Sequence, residues 1–154
     1  MVNLGEAIQL SGKSVHVNSS QIEELKAIAL QSDSLRARIL AHPNSQSTVH
    51  EMLIVLHRDS LVLPHRHPLD KAESYLVLEG ALRVATWESP HSARIDHDLT
   101  PYAPEDPGSF YWRHSKGLWH RPIALDEWAV YLEVYQGPFD KLIDVEFMVD
   151  FHDN

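Results

Sequence analysis

The sequence contains no cysteine among its 154 residues. Disulfide bridges, thiolate metal sites and a cysteine nucleophile are therefore excluded, and a metal site would have to be built from His, Asp or Glu. Histidine, by contrast, is plentiful, with 11 residues. The composition thus leaves imidazoles and carboxylates as the groups to search for a metal site.

Clusters of lysine and arginine are also missing. The chain carries 22 acidic and 13 basic residues, which gives a formal net charge of -9 and a pI near 5.6. Such a balance disfavours nucleic acid and anionic membrane surfaces as partners, because both attract clustered positive charge. We therefore predict no nucleic-acid partner.

Long apolar runs are absent as well. No stretch approaches the length needed to cross a bilayer, and the first residues lack the basic and apolar regions of a secretory signal. These absences predict no membrane partner and a cytoplasmic location. A chain of 154 residues also favours one structural domain over two.

Helical signals are confined to the first part of the chain. Ser20, followed three residues later by Glu23, matches a capping box, and apolar residues then recur at helical spacing. A second short helix is predicted from about 33 to 41. We predict that residues 1–45 form an extension with one or two helices, packed on a barrel formed by residues 46–154.

The rest of the sequence is typical of short strands. Runs rich in β-branched and aromatic residues alternate with turn signals: TVHEMLIVLH, SLVLPHRH, ESYLVLEG, ALRVATWE, SFYWR, GLWHRPIAL and WAVYLEVYQG. Residues 88–108 are polar and proline-rich, with room for one strand at 93–99. The last segment could be an extra strand or a loosely attached terminus. Many short strands predict an all-β sandwich or small barrel.

The stretch PHRHPLDKAESYLVLEG carries the strongest functional signal. In an extended strand, His65 and His67 point to the same side as Leu61 and Leu63, that is, towards a core. Two adjacent core histidines need partners for their ring nitrogens, and a divalent metal supplies one. Glu73 is the nearest carboxylate and would suit iron or manganese.

A further ligand must come from elsewhere in the chain, and His120 in GLWHRPIAL is the candidate. His114 competes with it but is predicted to lie solvated in a turn. The remaining histidines considered are predicted to be structural or solvated: His50, His57, His91 and His97.

This pattern resembles the cupin superfamily. HxH, then Glu73, six residues and Gly80 resemble its first motif, and GLWH is similar to the histidine part of its second. The resemblance implies a single-domain cupin, a jelly-roll barrel also called a double-stranded β-helix, with an N-terminal helical segment. It also implies that His65, His67, Glu73 and His120 bind one divalent transition metal per chain: Fe, Mn, Ni or Zn.

A closer resemblance is to the WbuC family of cupin metalloproteins, which is associated with O-antigen gene clusters. It rests on the early helix leading to SLRARILAHPN, on PHRHP and on the late LEVYQGPFD, over roughly residues 20 to 140. It implies a place in surface-polysaccharide biosynthesis. Small cupin barrels often pair, so we also predict a homodimer.

Strand parity suggests which residues line the pocket. Leu63, Tyr75 and Val77 are predicted on the metal side as substrate-binding residues. On the strand at 128–135 the inward face is open: either Val130, Leu132 and Val134, or Tyr131, Glu133 and Tyr135. If the second set faces inward, Tyr131 binds substrate, while Glu133 and Tyr75 are candidates for proton transfer. Otherwise Glu133 is a surface carboxylate.

Three functional hypotheses follow for a small-molecule ligand. The first is an enzyme that isomerises or epimerises a small polar metabolite, such as a sugar or nucleotide sugar, with help from the metal. The second is a binding or regulatory module that does not turn its ligand over. The third is an iron-dependent dioxygenase, which would use the same ligands.

Overall fold

The computed structural model describes residues 2–3, 5–68, 70–115, 117–149 and 151. Strands dominate, so the predicted all-β class is confirmed. The elements, in chain order, are β1 Val2–Asn3, β2 Ala7–Gln9, α1 Ser19–Ala29, β3 Arg36–Leu40, β4 Val49–His57, β5 His65–Arg66, β6 Glu73–Glu79, β7 Leu82–Trp87, β8 Ile95–Leu99, β9 Tyr111–His114, β10 Trp119–Ala124, β11 Trp128–Gln136, α2 Lys141–Asp144 and β12 Glu146–Phe147.

The strands form two sheets. One has seven strands in the order β1-β2-β3-β4-β11-β6-β9, and the other has five in the order β12-β5-β10-β7-β8. All pairs are antiparallel except β2 with β3, which run parallel. Strands adjacent in a sheet are often far apart in sequence, and this arrangement brings distant histidines together.

Alternation along β4 divides the apolar residues between two cores. Met52, Ile54 and Leu56 face the central core, whereas Val55 packs beneath α1. The central core also contains residues from both sheets: Val62, Tyr75, Val77, Leu82, Val84, Leu99, Ala124, Ala129 and Tyr131. The helix therefore covers one face of the seven-stranded sheet and leaves the other for the barrel interior.

The helix α1 begins two residues earlier than the capping pattern suggests. Asn18 is the N-cap, and it exchanges hydrogen bonds with Gln21 in a capping box, so the assignment to Ser20 and Glu23 is wrong. Asn is as good an N-cap as Ser, and the two motifs overlap in this sequence.

The second predicted helix, at about 33 to 41, is also wrong. Residues Arg36–Leu40 form strand β3, in which Ala37 and Ile39 are buried and their neighbours are half-buried. Leu35, at φ 52, breaks the helical path before the strand. The sheet continues through the extension because β3 pairs with β4, and the proposed boundary at residue 45 stays a prediction.

The other strand predictions mostly hold. Strands occur within each predicted run, and β8 lies in the polar connection, but SLVLPHRH contributes only His65–Arg66. The last segment contains α2 and β12. Gly80 turns the chain between β6 and β7 at φ +67, where a Cβ would collide with the carbonyl of Trp128.

In the part of the chain that the structure describes, no helix has the length and apolarity needed to cross a membrane.

Candidate metal site

Three imidazoles meet at one carboxylate oxygen inside the barrel. Oε2 of Glu73 lies 3.1 Å from Nε2 of His67, 2.8 Å from Nε2 of His114 and 2.9 Å from Nε2 of His120. The four side chains come from the residue after β5, the start of β6, the end of β9 and the start of β10, and all four are buried.

The second nitrogen of each ring is held by a backbone carbonyl. Nδ1 of His67 lies 2.6 Å from the carbonyl oxygen of Asp144. Nδ1 of His114 lies 2.9 Å from that of Ser115, and Nδ1 of His120 lies 3.1 Å from that of Leu118. Because a carbonyl only accepts hydrogen bonds, each Nδ1 must carry a proton. In a neutral ring, Nε2 then presents a lone pair to Glu73.

Three lone pairs directed at a carboxylate repel one another unless protons or a cation lie between them. Nε2 of His120 is buried and finds no hydrogen-bond partner of suitable geometry among the described residues, although Oε2 of Glu73 is close. The candidate ligand atoms of the four residues all lie within 4.8 Å of one another. Buried imidazole and carboxylate donors in this arrangement fit a divalent transition metal, so the group could hold one.

The electrostatics of the four residues are strongly coupled. Burial disfavours the charge on Glu73, but the imidazoles of His120, His114 and His67 outweigh it and hold the pKa of Glu73 well below its usual range. Burial lowers the pKa of His120. Burial opposes the charge on His67 too, yet hydrogen bonding to Glu73 leaves the pKa of His67 raised. Glu73 is therefore ionised and ready to bind a cation.

His114 is the site residue that sequence reasoning missed. The prediction that it lies solvated in a turn is wrong, because it ends β9 and is buried, 5% exposed. Strand β9 pairs with β6 so that His114 is directly opposite Glu73. The signal in the sequence was parity with Trp112, which packs against the central core.

His65, predicted as a ligand, lies beside this group of four rather than within it. Its half-buried ring is 4.4 Å from that of His120 between centroids, and its Nδ1 lies 3.0 Å from the carbonyl oxygen of Leu63. Burial lowers the pKa of His65 to about 3, so the ring is neutral. Its role as a ligand stays a prediction.

Leu63 does not face the interior as predicted. Its side chain is 45% exposed, and Leu61 is 65% exposed, because residues 61–64 do not form a strand and the alternation argument fails there. That Leu63 binds substrate stays a prediction. Its exposed side chain could make such a contact only at the surface of the protein.

The other predicted pocket residues lie in the interior, next to the histidines. Tyr75, Val77 and Tyr131 are at most 3% exposed, and the rings of Tyr75 and Tyr131 are 5.1 Å apart. The ring of Tyr135 lies 4.6 Å from that of His67. The open question on β11 is thus answered, because the face with Tyr131 and Tyr135 is the inward one.

Glu133 shares this inward face. Tyr135, two residues further along the same face, pairs with Glu73, so the two carboxyl groups are close to one another. Burial and the charge of Glu73 raise the pKa of Glu133 well above its usual range. Burial likewise raises the pKa of Tyr75 well above its usual range. The site therefore combines two carboxyl groups whose pKa values are shifted in opposite directions, which is a common arrangement for proton transfer.

A buried polar network supports His67 from behind. Asp144, whose carbonyl holds the imidazole, is 1% exposed. Its carboxylate accepts hydrogen bonds from Lys71 at 2.6 Å, from the hydroxyl of Tyr135 at 2.8 Å and from the backbone N–H of Asp140 at 2.7 Å. Lys71 also donates to the carbonyl of Pro138. The network fixes α2 over the site and orients one imidazole.

The remaining histidines that the structure describes lie outside the four converging residues. His50 is buried and stacks on His42 with 4.0 Å between centroids, and His57 lies against Trp128. His91 is exposed, as predicted. His97 is on β8 and half-buried, 3.2 Å from Oγ1 of Thr86, so its prediction as a solvated loop residue is wrong.

Solved structures share this fold at low sequence identity. CapF with the inhibitor 3-isopropenyl-tropolone matches with a TM-score of 0.57 and 16% identity, over 73% of this chain and 31% of that one. Oxalate oxidase with the substrate analogue glycolate gives 0.56 and 14%, over 75% and 56%. KdgF from Halomonas sp. gives 0.52 and 15%, over 70% and 83%.

These neighbours are cupin-fold proteins, so the predicted cupin fold is confirmed. The chain spans only 56% of the oxalate oxidase and 31% of CapF. At these identities the likeness shows the fold alone. No curated protein matches the chain significantly.

A family model described as a domain of unknown function, DUF6016, matches residues 17–98. The match covers more than half of the 154 residues, including α1, β3 to β8, and the HxH and Glu73 part of the site. The chain belongs to the DUF6016 family and has a cupin fold with a buried His/Glu group that could bind a metal.

Proposed function

We propose that this protein is an enzyme that binds one divalent transition metal per chain through His67, Glu73, His114 and His120. The convergence of three Nε2 atoms on one oxygen of Glu73 supports the proposal most strongly. Three imidazoles and one carboxylate leave positions open on a metal that prefers five or six ligands, and a metal there would polarise a carbonyl or hydroxyl oxygen of the substrate.

Proton transfer is the function of Glu133 and Tyr75 in this proposal. Burial and the charge of Glu73 raise the pKa of Glu133, which favours its protonated form, so Glu133 can donate a proton to a substrate atom and recover it. Tyr75, Val77 and Tyr131 surround the reacting atoms with buried surface and exclude water. Isomerisation or epimerisation of a small polar metabolite needs only such proton transfers.

The substrate class and setting rest on resemblance. The WbuC-like features support a sugar or nucleotide sugar of O-antigen biosynthesis. A cytoplasmic location and a homodimer are the other parts of the proposal. The two alternatives, a non-catalytic binding module and an iron-dependent dioxygenase, would use the same four residues. No observation favours either of them over the isomerase.

Metal analysis of purified variants tests the proposed site. Elemental analysis of the wild type, after loading with Mn, Fe, Ni or Zn, should find about one metal per chain. His114→Ala should lower metal affinity by more than about 100-fold, since it removes a ligand rather than an outer partner. His91→Ala, an exposed histidine, is the control and should bind metal as the wild type does.

His65→Ala distinguishes the ligand set seen in the structure from the one predicted by the motif. We expect a smaller loss than for His114→Ala, because His65 lies beside the four converging residues. Full metal retention by His114→Ala would contradict the proposed site. Glu133→Gln should keep the metal and lose turnover, whereas loss of the metal would assign Glu133 to binding instead.

A further inference from the structure

Two arginines lie on the interior side of strand β3. Arg36 and Arg38 alternate with Ala37 and Ile39, which are buried beneath α1 in the outer core. Leu40, on the same face as the arginines, packs against the central core. By strand alternation, both arginine side chains leave β3 on the side of the barrel interior.

The register of the sheet places these arginines in line with the proposed catalytic residues. Arg38 pairs with Ile54, and Ile54 pairs with Tyr131 on β11. Neighbouring strands are about 4.8 Å apart, so Arg38 and Tyr131 are separated by roughly 10 Å of backbone, which a long arginine side chain can partly bridge. Leu40, the next residue on the same face of β3, pairs with Met52, and Met52 pairs with Glu133.

The two guanidinium groups lack counter-ions. Within the described part of the chain, neither Arg36 nor Arg38 forms an ion pair, and Nε of Arg36 is buried with no hydrogen-bond partner. The more peripheral Arg83 and Arg94, by contrast, pair with Asp98 and Asp96. A half-buried cation without an ion-pair partner costs desolvation free energy. The chain has 22 acidic and 13 basic residues, so carboxylates are plentiful, yet none pairs with these two arginines among the described residues.

We propose that Arg36 and Arg38 bind the anionic group, a carboxylate or a phosphate, of a small ligand that extends towards Glu133 and the four converging residues. The planar guanidinium fork matches both groups and can bind either through two hydrogen bonds. The proposal rests on the proposed function for the other end of the ligand, and it narrows the substrate class to anionic metabolites.

Calorimetric titration of the metal-loaded protein with matched probes tests this anion site. Glycolate and glycerol 3-phosphate carry the two candidate anions, and ethylene glycol and glycerol are their neutral counterparts. We expect at least one anion to bind, the neutral probes not to bind, and sulfate to compete. Arg36→Met and Arg38→Met should each weaken binding by about 10-fold or more, the effect of losing a charge-assisted hydrogen bond.

Arg83→Met is the matched control, because it removes an arginine that is paired with Asp98 away from β3, and it should bind the anion as the wild type does. Arg38→Lys keeps the charge and should retain part of the affinity, so it remains informative if Arg38→Met does not fold. Preference for one anion identifies the chemical group on the ligand, and either preference supports the site.

Wild-type protein that binds neither anion, or folded Arg36→Met and Arg38→Lys variants that bind as tightly as the wild type, would overturn the inference. Metal content, measured on the same samples, separates it from the proposed function. Anion binding that depends on the arginines in a protein that takes up no metal would support the inference and refute the metal site. Full metal content, together with anion binding that does not depend on the arginines, would support the metal site and refute the inference.

Discussion

Glu73 is the central residue of the candidate metal site. Its Oε2 is the point at which three imidazoles meet, and each imidazole is fixed in one tautomer by a backbone carbonyl. Backbone carbonyls are set by the fold and cannot rotate away as side chains can. The lone pairs are therefore preorganised before any cation arrives, which reduces the entropy lost on binding.

The network behind His67 offers a test of this preorganisation. Tyr135→Phe and Asp144→Asn each weaken the hydrogen bonding that holds α2, and with it the carbonyl that orients His67. We expect metal affinity to fall by about 10- to 100-fold, as for other outer partners of metal ligands. A chelator competition assay measures this, and the visible spectrum of the Co²⁺-loaded protein should also shift.

Asp126→Asn is the control for these variants. The carboxylate of Asp126 accepts a hydrogen bond from the backbone N–H of Ala81 and has no hydrogen bond to the network behind His67. An unchanged affinity and an unchanged Co²⁺ spectrum in both Tyr135→Phe and Asp144→Asn would show that α2 does not position His67.

Sequence reasoning found three of the four converging residues and missed the fourth for an identifiable reason. His67, Glu73 and His120 follow from a local motif and a resemblance. Parity with Trp112 turns His114 inward, but only the pairing of β9 with β6, segments about 40 residues apart, places it opposite Glu73. The sequence favours His120 over His114 because His114 is predicted to lie in a solvated turn, and it includes His65 because strand parity is applied to residues 61–64, which are not a strand. Parity arguments fail where the chain is irregular.

Strand β11 shows where element-level patterns suffice and where they do not. Its existence follows from its β-branched and aromatic residues, but both faces carry large side chains, so the sequence left the inward face open. The pairing of β11 between β4 and β6 decides it. For strand β3 even the type of element is open in the sequence, because the short segment RARIL is compatible with a helix or a strand. Its pairing with β2 and β4 makes it a strand.

The helix α1 supports the sheet from outside and takes no part in the site. Leu25, on the face of the helix that packs against the sheet, is 0% exposed, whereas Leu30, just beyond the end of the helix, is 58% exposed. Leu25→Ala should lower the free energy of unfolding by about 2–5 kcal/mol, as burial of a leucine in a packed core implies. Leu30→Ala should change it by less than about 0.5 kcal/mol. Urea denaturation of the two variants checks the difference.

The folded fraction of Leu25→Ala should still bind metal with wild-type affinity, because α1 and the site are on opposite faces of the seven-stranded sheet. A loss of metal affinity as large as that of His114→Ala would mean that the helix shapes the site after all.

The molecule as a whole should show its metal in the pH dependence of its stability. Free imidazole has a pKa of about 6.5, and protonation at Nε2 removes a ligand. Stability supplied by the metal is therefore present at neutral pH and lost as the pH falls below about 6. Melting curves of metal-loaded and chelator-stripped protein between about pH 5 and pH 8 should differ most at the upper end and converge at the lower end.

The stripped protein should also lose some stability on acidification. Burial lowers the pKa of His65 to about 3 and lowers that of His120, so the unfolded chain takes up protons at these residues before the folded chain does. His67 acts in the opposite direction because its pKa is raised, and its contribution is lost as the pH rises through that value. Parallel curves for the two samples at every pH would contradict a metal contribution to the fold.

Calorimetric titration of metal into the stripped protein, repeated in buffers with different ionisation enthalpies, tests the central claim most directly. If His67, Glu73, His114 and His120 hold the metal, the titration should saturate at about one ion per chain and release protons. The release should be larger at about pH 6 than at about pH 8, because the pKa of His67 is raised and its ring then holds more of the proton that the metal must displace. Saturation far below one ion per chain, or a proton release that does not change with pH, would contradict the account.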